Sequence, residues 1–182
     1  MNFIKNIKAI AIIFFITLIF TQGKAEVKIA FVEMDRVMRE SLVGKSVLQQ
    51  LDKLDKANKN KYIENRKKLS LKKDKVNSQK NILSKEEFEK KVIALNKEFE
   101  NFKKEGNKKV NDLRSKRNKA MKKILDELNI VLSEYSNKNE LTFIIDQKNI
   151  IIGRSDLDVT NEILKQLDAK IKKIKLNWWK IL

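Results

Sequence analysis

The chain has 182 residues, of which 36% are charged; 41 Lys and Arg stand against 24 Asp and Glu, and there is no Pro, Cys or His. Lacking Cys and His, it has no disulfide framework, no lipid-modified cysteine, no Cys–His or Ser–His nucleophilic pair and none of the usual zinc ligands. The formal charge of +17 suggests nucleic acid, an anionic membrane or an acidic client as partner, set against lysine that simply fills solvated faces.

The first segment, "MNFIKNIKAIAIIFFITLIFTQGKAEV", has the three parts of a signal peptide. Lys5 and Lys8 make a positive start, and Ala9 to Phe20 is apolar except for Thr17. Gly23 and Ala25 are the small residues of a cleavage site, so residues 1–25 are expected to be removed. The apolar run is short of the ~20 residues a spanning helix needs, which weighs against an uncleaved anchor. Export also weighs against nucleic acid as a partner.

In "EVKIAFVEMDRV", Val27, Ile29 and Phe31 alternate with Lys28 and Ala30, which predicts a short half-buried strand. From about Asp35 the pattern turns helical and continues to Val76, with Leu48, Leu51 and Leu54 on one face and Tyr62, Leu69 and Val76 at intervals of seven. The stretch "RESLVGKS" ends like a phosphate-binding loop, but Arg39 stands where its first glycine belongs and the setting is helical. In "NSQKNILSKEEFEKK" the helix breaks and restarts: Ser84 followed by Glu87 is a capping box, and Glu86 and Glu87 suit the positive end of the helix dipole.

The second helix is expected from Lys85 to about Tyr135. Its apolar line of Phe88, Val92, Leu95, Phe99, Phe102, Val110 and Leu113, continuing through Ile124, Leu128 and Leu132, steps by threes and fours like a coiled-coil seam. Gly106 sits on this line, where a local change of supercoil is expected. Beyond it Leu141, Phe143 and Ile145 alternate as a strand, Asp146 to Asn149 is turn-rich, and Ile150 to Ile152 predicts a second strand closed by Gly153, making a hairpin. Asp158 then caps a last helix, "VTNEILKQLDAKIKKIKL", with Ile163, Leu164, Leu167, Ile171 and Ile174 on its apolar side.

These elements predict an α+β chain, mostly α. Residues 37–136 form a long antiparallel helical-hairpin arm with its tip near 77–84. Residues 26–36 and 137–182 form a small discontinuous β body, with Val27, Ile29, Phe31, Leu141, Phe143, Ile145, Ile150 and Ile152 as its core. So small a body buries too little apolar surface to stand alone, and its strand edges need covering. Association through the strands is therefore expected.

"KIAFVEMDRVMRES" and "NELTFIIDQKNIIIGRSDLDVTNEILKQL", separated by two lysine-rich helical segments, resemble the Skp/OmpH family of periplasmic chaperones. The resemblance implies a periplasmic homotrimer whose strands make a central body and whose three arms enclose a basic cavity. It implies an ATP-independent holdase, without cofactor or metal, that keeps unfolded outer-membrane β-barrel proteins from aggregating in transit. Asp158, Thr160 and Ile163 to Leu167 match the helix that packs on the body. The segment "DAKIKKIKLNWWKIL" is a departure, since many relatives stop near Leu167. Exposed apolar residues off the seam (Ile63, Leu71, Ile93 and Met121) are candidate client contacts. Enzymatic activity is not expected, because the carboxylates lie on exposed faces beside lysines. Anionic lipid or lipopolysaccharide is a further candidate partner. The alternative is a structural or membrane-surface coiled-coil protein of the envelope, with Trp178 and Trp179 at the lipid interface.

Overall fold

A computed structural model describes residues 27–176. The signal-peptide reading of residues 1–25 and the Trp178–Trp179 pair lie outside the described residues. The chain runs through β1 (Ile29–Val32), α1 (Met34–Glu40), α2 (Leu42–Ser78), α3 (Lys85–Lys138), β2 (Phe143–Asp146) and α4 (Thr160–Lys170). At a rise of 1.5 Å per residue, α2 is about 55 Å long and α3 about 80 Å.

The two long helices form an antiparallel hairpin. Gln79 meets Lys91 near the tip, Lys72 bridges to Glu98 at 2.6 Å, and Tyr62 stacks on Phe102 further down. The tip is short because α3 restarts cleanly. Ser84 Oγ accepts from Glu87 N while the Glu87 carboxylate accepts from Ser84 N, the reciprocal box its sequence calls for. At the other end α3 leaves through Glu140, whose φ of 54° is left-handed. Leu141 N then donates back to Ser136 O at 2.9 Å, which turns the chain into β2.

The first helix is not continuous from Asp35. It breaks at Ser41, which is buried and whose hydroxyl accepts from Gly44 N. Gly44 packs so closely that a Cβ on it would lie 2.1 Å from Met38 O. This glycine is present for that approach of α1 to the root of α2, and it explains the loop-like "VGKS" without any phosphate.

The sheet has two strands, parallel, with Ile29 opposite Phe143 and Phe31 opposite Ile145. The expected hairpin is corrected: Ile150 to Ile152 is not a strand. A 3-10 turn over Gln147–Asn149 carries the chain across Phe31 instead, where a Cβ on Gly153 would lie 3.0 Å from the ring. The face buried against the helices is also the other one. Ala30 and Val32 point into the core, whereas Phe31 is covered by the crossing loop.

The core sits at the base of the arm. Val37, Val43, Val47, Ile124, Leu128, Val131, Ile163 and Leu167 are each at most 1% exposed. Helix α4 locks onto it through Thr160, whose Oγ1 accepts from Glu33 N at 2.9 Å and whose own amide donates to Asp158. The last helix is shorter than its apolar spacing predicts. It stops at Lys170; the chain turns extended at Ile171 and then passes Gln50 of α2, burying Ile174 and Leu176 in the core.

Candidate functional site

Two surfaces carry the chemistry available to this fold. The first is the outer face of the sheet. Because parallel partners share a face, Ile29 and Phe143 form one apolar step there, 40% and 57% exposed. Val27, Ile151 and Ile152 extend it in the open, while Leu141, Ile145 and Ile150 are half-buried and Phe31 is buried. Ion pairs fasten the strand ends beside this face. Lys28 holds Glu140 at 2.8 Å and Lys148 holds Asp146 at 2.8 Å; hydrogen bonding to each lysine keeps the carboxyl below its ordinary pKa. An exposed apolar face beside an open strand edge is a surface built for protein association. Of the eight residues assigned to the body core, only Phe31 is buried within a single chain.

The second surface is the arm. Its interior is thin: beyond the base, Leu69 and Leu95 are the buried apolar residues among those described, with Phe88, Val92, Phe99, Phe102 and Leu113 half-buried along the same line. Val110 departs from the seam and is 60% exposed. The reason is local. The Tyr62 ring crosses from α2 to lie over Gly106, where a Cβ would come within 3.3 Å of it, and stacks on Phe102 with centroids 4.5 Å apart. Beside this stack an open cleft of about 700 Å³ runs between the helices, lined by Tyr62, Ile63, Phe102, Gly106, Val110 and Leu113.

The arm's flanks are cationic. Lys and Arg outnumber Asp and Glu by 11 to 4 on α2 and by 15 to 10 on α3. Of the four candidate contacts, Ile63, Leu71 and Ile93 are 60–67% exposed, whereas Met121 is half-buried against the base core. The cleft, and Ile82 standing 80% exposed at the tip, were not singled out by sequence pattern. The signal for the cleft was the glycine that interrupts the apolar line. Among the described residues no helix is long and apolar enough to cross a membrane, and no cluster of three acidic side chains is placed to hold a metal ion.

The OmpH-like outer membrane protein family matches residues 28–167. The chain belongs to this family. The same architecture occurs in the crystal structure of a protein from Caulobacter crescentus CB15 described as an OmpH-like outer membrane chaperone. That structure superposes with a TM-score of 0.77 at 19% identity, covering 85% of this chain and 92% of that one. No curated protein sequence matches significantly. The OmpH-like match spans both strands, the whole arm and α4 as far as Leu167; the segment that follows lies beyond it.

Proposed function

We propose that this OmpH-like protein is an ATP-independent periplasmic holdase and not an enzyme. On this reading residues 1–25 are cleaved on export. The mature chain trimerises through the sheet face of Ile29 and Phe143, and the three arms enclose a basic cavity. Unfolded outer-membrane β-barrel chains, apolar on alternate residues, are held there through many weak contacts until they are passed on.

The observation that carries this reading is the arm. It zips helix to helix along a thin apolar line and leaves lysine and scattered apolar side chains on its flanks. It can attract an anionic chain over long range and touch it lightly along its length. Ile63, Leu71 and Ile93 supply such contacts, and no nucleotide is required for holding.

The test is dilution of a urea-unfolded outer-membrane barrel into buffer with the purified mature protein, followed by light scattering without ATP. A slight excess of trimer is expected to suppress scattering, and the effect is expected to weaken as salt screens the flanks. Unchanged scattering at low salt overturns the holdase.

A further inference from the structure

The seam of the arm fails in one place, on both helices at once. Steps of three and four carry the α2 line from Leu51 and Leu54 through Asn58, Tyr62 and Asn65 to Leu69, and the α3 line passes from Phe102 through Gly106 to Val110. Two carboxamides and a bare glycine thus stand where a coiled coil places apolar side chains. Asn58 and Asn65 line the cleft half-buried, and neither carboxamide is hydrogen-bonded among the described residues. A seam asparagine that fixed helix register would bond across to the facing helix; these two leave space instead. The cleft of about 700 Å³ is that space, and its size is that of a binding pocket.

Its wall and its rim have different chemistry. Tyr62 and Phe102 stack with centroids 4.5 Å apart, and Tyr62 is still 45% exposed, so a third ring can join them. Ile63 and Val110 add open apolar surface. On the rim Asp55 is held by Lys59 at 2.8 Å, which leaves Lys61, Lys103 and Lys109 against the single carboxylate of Glu105. An apolar wall edged by lysine is complementary to an aromatic side chain that has carboxylates beside it. The asparagines offer both donors and acceptors, which suits a peptide backbone of any sequence.

We propose that this cleft is the arm's anchoring site for an unfolded client. One aromatic side chain of the client enters between Tyr62 and Val110. Acidic neighbours on the client pair with Lys103 and Lys109, and its backbone bonds Asn58 and Asn65. This inference rests on the holdase reading and adds to it a preferred point among otherwise weak contacts. An aromatic side chain buries about 150–250 Å², more than the scattered contacts at Leu71 or Ile93 offer. Folded proteins keep most of their aromatic surface covered, so the cleft selects chains that are not yet folded.

The probe is a short unstructured peptide with one fluorotryptophan between glutamates, followed by fluorine NMR as mature protein is added. Its line is expected to shift and broaden. The chain has no cysteine, so single nitroxides can be placed at will. One on Lys104→Cys, beside the cleft, is expected to bleach the bound line, and one on Ile82→Cys at the tip to spare it. Val110→Asp, at an exposed position, is expected to weaken binding about tenfold with helicity intact. Lys103→Glu with Lys109→Glu is expected to weaken it comparably, as is a peptide with lysines in place of the glutamates. The scattering assay decides the holdase separately. A protein that suppresses scattering yet leaves the peptide line unshifted, binds it equally as Val110→Asp, or binds it beyond reach of the Lys104 nitroxide overturns the anchoring site and leaves the holdase standing. Unsuppressed scattering by the wild-type protein overturns both.

Discussion

At the scale of single residues, the tightest constraints lie at the base. Gly44 faces the Met38 carbonyl at a distance no Cβ tolerates, so Gly44→Ala must push α1 off the root of α2. Overpacking of this kind destabilises by about 1–3 kcal/mol. Urea unfolding followed by circular dichroism should show a lower midpoint with the slope preserved. Thr160 is a second such point. Thr160→Val keeps the volume but removes the acceptor for Glu33 N, and a buried amide left unpaired costs about 1–3 kcal/mol. The same unfolding experiment checks it, and an unchanged midpoint would show that the amide finds another partner.

Residue types alone pointed to some of these features and hid others. Ser84 and Glu87 announce their cap because the pairing is local, three residues apart. Gly44 is misleading because its neighbour across the gap is a backbone carbonyl, which leaves no mark in the sequence. The course of the chain after α4 was hidden for the same kind of reason. "DAKIKKIKL" has helical spacing and no breaker, yet the Gln50 amide and the core beneath it draw the chain out of helix past Lys170. Ile150 to Ile152 has strong strand propensity, but the edge it would join is reached only after a 3-10 turn that aims it over Phe31.

At the scale of elements, the arm and the body depend on burial in opposite ways. The order strand, helix, turn, helix, strand, helix was legible, apart from the hairpin partner expected at Ile150 to Ile152, because apolar spacing changes between two and three-and-four at the boundaries. Where each apolar residue points was less so, as Val110 shows, since a ring from the opposite helix takes the place that the heptad reserves for it. In the distal arm little apolar surface is held. Leu95→Ala should therefore loosen the tip half selectively, with hydrogen exchange rising between residues 60 and 105 while amides around Ile124 and Leu128 stay protected. Truncating such a leucine costs about 2–5 kcal/mol where it is fully packed; uniform exposure of the whole chain would contradict a separable arm. For the sheet, Phe143→Asp places a charge on the outer apolar face. Sedimentation is expected to show the proposed trimer replaced by monomer or unfolded chain; a stable trimer would place the association surface elsewhere.

At the scale of the whole molecule, the parallel pairing of Ile29 with Phe143 sets an order of events. The amino-terminal strand is delivered first and has no partner until the chain has travelled out along one rod and back along the other. Pairings this distant in sequence are slow to close, whereas the turn around Ser84 needs only neighbours. Refolding should accordingly begin at the far end and zip homeward, with helical signal rising before the hub is protected from exchange. Until that closure an apolar ribbon stays uncovered, so the protein is itself, for that interval, a chain in need of shelter.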